Sequence, residues 1–117
     1  MSIKNEIRRI DFLLKHINLI ENDLNTKSLE DFRQHDLLVR ATSFSLVQIG
    51  EQMNRLEEDL REKYPDVPWS DARSMRNIIV HVYSKVDADQ VYKTAKTDLG
   101  TLKTAFTKIK EDLLKQI

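Results

Sequence analysis

The chain has 117 residues, enough for one domain with a core of its own, and we expect residues 1–117 to form a single domain. Its 19 basic and 19 acidic residues cancel, so it lacks the basic excess of proteins that coat nucleic acid, and any such contact must be local or built by assembling subunits. The absence of cysteine excludes disulfides and thiolate zinc sites and fits a cytoplasmic protein. The apolar runs are too short for a membrane-spanning helix, and we expect no signal peptide because the N-terminus lacks the pattern of one.

Two glycines, two prolines and a charged fraction of 32% favour long amphipathic helices over a sheet. Apolar residues recur at three- and four-residue steps from Ile3 to Leu24 and predict helix 1 over that range. Ser28 and Asp31 then have the spacing of a helix cap, which predicts a short helical turn through Phe32.

Helix 2 is predicted to run from Gln34 to Glu62. Its expected buried stripe consists of Leu37, Leu38, Ala41, Phe44, Ile49, Met53, Leu56 and Leu60. Gly50 lies in the middle of this helix, where glycine costs about 1 kcal/mol relative to alanine. Either a neighbouring helix approaches closely at this position, or the glycine is simply tolerated.

Two prolines separate helix 2 from helix 3. Pro65 and Pro68 act as breaks because the residue before a proline is displaced from helical geometry. Helix 3 is predicted from Pro68 or Trp69 to Ser84. Trp69 is expected to be a packing anchor at the start of this helix rather than a platform for stacking bases.

Helix 4 is expected to begin at a cap formed by Asp87 or Asp89 and to continue to about Leu114. Its apolar stripe consists of Val91, Ala95, Leu99, Leu102, Phe106, Ile109 and Leu113. Four long helices with short connections predict an all-α fold. The expected architecture is an antiparallel four-helix bundle with a short extra helical turn between helices 1 and 2.

Polar side chains gather on one side of helix 3. At about 100° per residue, one face of this helix is apolar and packs on the bundle: Met75, Ile78, Ile79 and Val82. The side chains that point away from that face are Arg76, Asn77, His81 and Tyr83. Val80 lies among these polar residues. An apolar residue on the polar side of helix 3 indicates that a second subunit covers that side.

These polar groups have the chemistry of phosphodiester cleavage without a metal. In such a reaction the RNA 2′-OH attacks the adjacent phosphorus, His81 moves the proton and Arg76 stabilises the added negative charge. Asn77 orients the imidazole or the substrate, and the hydroxyl of Tyr83 binds phosphate or is modified. No two of the three histidines are spaced four residues apart, so no metal site is expected. An ordinary solvated face is the alternative interpretation.

The spacing of Arg76, His81 and Tyr83 matches the R-X4-H-X-Y signature of HepT-like toxins, a branch of the HEPN superfamily. Length, helix order and flanking sequences resemble the same family over nearly the whole chain. The matching flanks are Ile49-Gly50-Glu51, Val67-Pro68-Trp69, Met75-Arg76-Asn77, Val86-Asp87 and Val91-Tyr92. The sequence departs from the family in the apolar Ile78-Ile79-Val80, which leaves the proton relay with fewer groups.

The resemblance implies a HEPN-like helical bundle that forms a homodimer, with the motif helices facing each other across a cleft. It implies a metal-independent ribonuclease without a cofactor, the toxin of a toxin–antitoxin pair. The antitoxin would be an MntA-type nucleotidyltransferase that transfers AMP to the motif tyrosine. Carried over to this chain, Arg76 and His81 are catalytic, Asn77 is a supporting residue, and Tyr83 accepts the AMP. Glu51 either reaches the motif from helix 2 as a further supporting residue, since the resemblance includes it, or has a surface role.

Two other functions stay open from the sequence: a non-catalytic module that binds RNA or nucleotide in the same cleft, and a protein-interaction module. His16 is expected to be a surface or boundary residue. His35 has either a local structural role or a functional one. The acidic run from Glu57 to Glu62 is expected to be a solvated face or, alternatively, a contact for the antitoxin.

Overall fold

The structure is a computed structural model that describes the backbone of residues 2–84 and 87–117 and the side chains of residues 2–78 and 87–117. The regular secondary structure of these residues consists of helices. The helices are α1 (Ile3–Leu24), α2 (Leu29–Arg33), α3 (Asp36–Arg55), α4 (Glu58–Lys63), α5 (Asp71–Ser84), α6 (Ala88–Thr97) and α7 (Leu99–Leu114). The predicted all-α bundle is confirmed. Among the described residues, no helix is both long and apolar enough to cross a membrane.

The first two helices begin and end as predicted because their signals are local. The side chain of Ser2 accepts the backbone N–H of Asn5 at the start of α1. In front of α2, the Ser28 hydroxyl accepts the N–H of Asp31, and the Asp31 carboxylate accepts the N–H of Ser28, both at 3.1 Å. This reciprocal capping box stabilises a helix of only five residues.

The predicted helix 2 is not continuous, because the backbone is extended at Leu56 and Glu57 and separates α3 from α4. The fully buried carboxylate of Glu6 in α1 accepts the N–H of Glu57 at 3.0 Å and is paired with Arg9. This bond satisfies a backbone donor that the break would otherwise leave unpaired. Leu56, which is 1% exposed, fills the core at the same point.

The buried face of α3 differs from the predicted stripe. Leu37, Ala41 and Phe44 are exposed, with Leu37 at 62% and Phe44 at 59%. Small polar residues are buried instead, because α3 packs on both α1 and α5 and its inner surface is wide. The buried residues of α3 are Val39, Thr42, Ser43, Ser45, Leu46, Ile49, Gly50 and Met53.

The expectation of a surface or boundary histidine at position 16 is wrong, since His16 is buried at 8% exposure. Its Nδ1 lies 3.0 Å from the hydroxyl oxygen of Ser45, and its ring contacts those of Phe12 and Phe44. Burial, followed by the charge of Lys15, lowers the pKa of His16. His16 therefore joins α1 to α3 as a neutral side chain.

The predicted helix 4 is divided at Asp98 into α6 and α7. The hydroxyl oxygen of Thr97 lies 2.7 Å from the carbonyl oxygen of Lys93 and 3.0 Å from the carboxylate of Asp98, and its single hydrogen donates to one of these acceptors. Such side-chain bonds compete with the regular backbone pattern of a helix. Asp87 caps α6, as one of the two predicted alternatives, and the whole predicted apolar stripe is buried.

Helix α5 begins at Asp71, slightly later than predicted, because a turn precedes it. Trp69 lies in that turn, where its ring packs edge-on against Phe106 at 5.7 Å and its Nε1–H donates to the carbonyl of Tyr64 at 2.9 Å. Trp69 is thus a packing anchor, as predicted. It ties the start of the helix that carries the motif to α7.

Candidate active site

Helices α3 and α5 approach each other closely at Gly50. A Cβ atom added to this residue would lie 2.7 Å from the carbonyl oxygen of Ala72, and 3.0 Å from Met75 Cβ and Arg76 Cγ. Real Cβ atoms are essentially never as close to another heavy atom as 2.7 Å. The close approach of a neighbouring helix therefore accounts for this glycine, which resolves the two alternatives left by the sequence.

The close approach brings Arg76 of α5 against Glu51, the residue that follows the glycine in α3. The Nε–H of Arg76 donates to Glu51 Oε1 at 2.6 Å, with side-chain exposures of 43% for the arginine and 30% for the glutamate. A charge-assisted bond of this length holds the guanidinium in one orientation. Among the described residues only the Nε–H of Arg76 has a partner, which leaves its four terminal N–H donors for an anion.

Two further arginines lie beside this pair. Arg55 Nη2 is 3.9 Å from the second carboxylate oxygen of Glu51, Oε2. Arg73 is exposed and precedes Arg76 by three residues, about 60° away around α5. Sequence reasoning missed both, although the spacing from Glu51 to Arg55 is that of a helical ion pair and Arg73 falls on the polar side of the helical wheel.

The remaining motif residues follow Arg76 along α5. Asn77 is exposed, and the α5 backbone is helical through Ser84, so it carries His81 and Tyr83 one to two turns beyond Arg76. The side chains of His81 and Tyr83 lie outside the described residues, as do those of Ile79, Val80 and Val82 that the wheel analysis used. Met75 and Ile78, the described part of the predicted apolar face, are buried in the core.

The other residues considered in the sequence analysis lie outside this site. His35 caps α3, where its Nδ1 accepts the N–H of Leu38 at 3.1 Å, so it has a structural role. The acidic side chains from Glu57 to Glu62 are exposed. Among the side chains of residues 2–78 and 87–117, no group of three or more histidine, aspartate or glutamate residues is placed to hold a metal ion.

The sequence matches known proteins over most of its length. A family model described as ribonuclease HepT-like matches residues 13–109. The candidate RNase MJ0125 of Methanocaldococcus jannaschii is 33% identical over 101 residues, which cover 86% of this chain and 87% of that protein. The candidate RNase MJ1216 of the same organism is 32% identical, with coverage of 86% and 84%.

A protein of Thermococcus cleftensis named probable ribonuclease HepT is 29% identical over 106 residues, which cover 87% of this chain and 93% of that protein. No solved structure matches the chain significantly. The family model covers α3, α5 and most of α1 and α7, and so includes every residue of the site described above. The chain belongs to the HepT-like ribonuclease family.

Proposed function

We propose that the chain is the toxin of a toxin–antitoxin pair, a metal-independent RNA endonuclease that acts in the cytoplasm as a homodimer of single-domain subunits. Membership of a ribonuclease family supports the reaction class. The single observation that carries the assignment of the site is the 2.6 Å bond between Arg76 and Glu51. It positions a permanent cation, with free donors, on the helix that also carries His81.

In the proposed reaction Arg76 binds the scissile phosphate through its terminal N–H groups while Glu51 holds its Nε–H. His81 accepts the proton of the RNA 2′-OH as that oxygen attacks phosphorus, and a proton returns to the departing 5′-oxygen. The O2′–P bond forms and the P–O5′ bond breaks, which leaves a 2′,3′-cyclic phosphate. Arg76 stabilises the negative charge that accumulates on the phosphoryl oxygens, and Asn77 orients His81 or the substrate.

The proposed dimer places the α5 helices of two subunits across one cleft. Two copies of Arg76 then face the same RNA, which supplies a local basic site on a chain of zero net charge. The proposed antitoxin is an MntA-type nucleotidyltransferase that transfers AMP to Tyr83. Because Tyr83 lies two turns beyond Arg76 on α5, the phosphate of an attached AMP would compete with RNA for the arginine.

The proton carrier provides the first test of this function. The purified protein is expected to degrade RNA in the presence of EDTA, and His81→Ala is expected to reduce the rate by about 100-fold or more, because general acid–base catalysis contributes roughly that much. Gel-based cleavage of a labelled RNA measures the rate. His35→Asn, which replaces an exposed histidine outside the site and retains a capping side chain, should cleave like the wild type.

Two results of this experiment would contradict the proposal. Equal cleavage by the wild type and His81→Ala would remove histidine from the mechanism. Saturable RNA binding with no cleavage under any condition would instead support the alternative, a non-catalytic RNA- or nucleotide-binding module.

The tyrosine provides a separate test. After incubation with an MntA-type nucleotidyltransferase and ATP, the intact mass of the protein is expected to increase by one or more AMP units, and Tyr83→Phe should abolish the increase. Tyr92→Phe is the matched control, since the hydroxyl of Tyr92 is already bonded to the carbonyl of Lys27 at 2.7 Å. An unchanged mass of the wild type, or an equal increase in Tyr83→Phe, would exclude modification of this residue.

A further inference from the structure

The carboxylate of Glu51 lies between two guanidinium groups. Arg76 from α5 approaches one of its oxygens at 2.6 Å, and Arg55 from the last turn of α3 approaches the other at 3.9 Å. The second distance is at the outer limit of an ion pair, and the side chain of Arg55 is 61% exposed. An exposed pair with this geometry is weak, so Arg55 is oriented toward the site, and among the described residues it has no other ion-pair partner.

The local charge around Glu51 is unbalanced. Two guanidinium groups, those of Arg55 and Arg76, share the Glu51 carboxylate, and the exposed Arg73, one helical turn before Arg76, has no ion-pair partner among the described residues. Two exposed arginines elsewhere are paired closely with carboxylates, Arg33 with Asp89 at 2.7 Å and Arg40 with Asp36 at 2.9 Å. Among the described side chains, positive charge therefore exceeds negative charge beside Arg76, although the whole chain has zero net charge.

We propose that Arg55 and Arg73 bind the backbone phosphates of RNA on either side of the phosphate that is cut at Arg76. This inference rests on the proposed function. The side chains are exposed, permanently charged and planar, and such groups bind phosphate through two parallel N–H bonds. Contacts to phosphate hold the sugar-phosphate chain and position it without selecting a sequence.

The salt dependence of RNA binding tests this inference directly. The measurement uses the His81→Ala protein, which leaves RNA uncut, and a labelled single-stranded RNA of about ten nucleotides. Each lost phosphate contact reduces the slope of log affinity against log salt by about 0.7 for single strands. Adding Arg55→Ala or Arg73→Ala should reduce the slope by that amount and weaken binding roughly tenfold at low salt.

Arg40→Ala is the matched control, because Arg40 is also an exposed arginine of α3 paired with an acid four residues away. Arg40→Ala should leave the salt slope and the affinity for RNA unchanged. Arg55→Lys keeps the charge and should therefore retain most of the salt slope that Arg55→Ala loses. In the cleaving protein, Arg55→Ala is expected to raise KM about tenfold with kcat nearly constant. A role limited to orienting Glu51 would lower kcat and leave the salt slope unchanged.

An unchanged slope in both alanine variants would overturn the inference even if the wild type cleaves RNA. Arg55-dependent binding of AMP alone, with no change in the RNA slope, would overturn it as well, because the cluster would then be a mononucleotide site. If the wild type never cleaves RNA but the alanine variants still have a reduced salt slope, the phosphate contacts are supported and the proposed endonuclease is rejected. The two proposals can therefore fail separately.

Discussion

Arg76→Ala is expected to lower kcat/KM for RNA cleavage by about 100- to 1,000-fold, the loss measured when one preorganised donor to a developing negative charge is removed. Glu51 holds the Nε–H of Arg76 at 2.6 Å, so the guanidinium is already oriented when the substrate arrives. Alanine removes both the charge and that orientation. Steady-state cleavage of a labelled RNA at several concentrations gives kcat and KM separately.

Three companion variants make the Arg76 experiment specific. Arg76→Lys should recover only a small part of the activity, because a single ammonium cannot hold Glu51 and form a fork to phosphate together. Glu51→Gln should lower kcat by roughly tenfold, since the neutral amide forms a weaker bond to the guanidinium. Arg40→Ala, at an exposed ion pair on α3 about three turns before Glu51, should cleave normally. Full activity in Arg76→Ala would remove this residue from the site.

Gly50→Ala is expected to destabilise the fold by about 1–3 kcal/mol and to reduce cleavage as well. The added Cβ would meet the backbone carbonyl oxygen of Ala72 at 2.7 Å, and a backbone atom cannot move away without shifting α5. Alanine also gains about 1 kcal/mol in helix propensity over glycine. The clash dominates because relief requires separating two packed helices, which moves Arg76 away from Glu51 too. Urea denaturation and the RNA cleavage rate measure the two effects.

The second glycine provides an internal control for the Gly50 experiment. A Cβ atom added to Gly100, in the first turn of α7, meets nothing within 4 Å. Gly100→Ala should therefore leave the fold equally stable or stabilise it by up to about 1 kcal/mol, with normal cleavage. If Gly50→Ala behaved like Gly100→Ala in stability and activity, close helix approach would not explain the glycine at position 50.

Helices and caps could be predicted where the residues that specify them lie within a few positions of each other in sequence. The extent of α1, the capping box between Ser28 and Asp31 and the buried stripe of α6 and α7 all depend on local spacing and on helical periodicity. The break after Arg55 was not predictable in this way. It depends on Glu6, which is 51 residues away from Glu57 in sequence and accepts its N–H.

The same limit applies to the residues that were misplaced. The sequence of α1 alone predicts that His16 is a boundary residue, but Phe44 and Ser45 of α3 pack against it. Leu37 and Phe44 fit an apolar stripe, yet the rotation of α3 about its axis buries a different set. Local spacing defines the faces of a helix, whereas packing against neighbours decides which face is turned inward.

Residue type and helical period are enough to predict the helical class, the polar side of the motif helix and the R-X4-H-X-Y spacing of Arg76, His81 and Tyr83. The bond from Arg76 to Glu51, and the position of Arg55 on the other side of the same carboxylate, depend instead on how the helices pack. Such contacts join separate helices, so they depend on how closely and at what rotation those helices pack, and the close approach at Gly50 sets that distance.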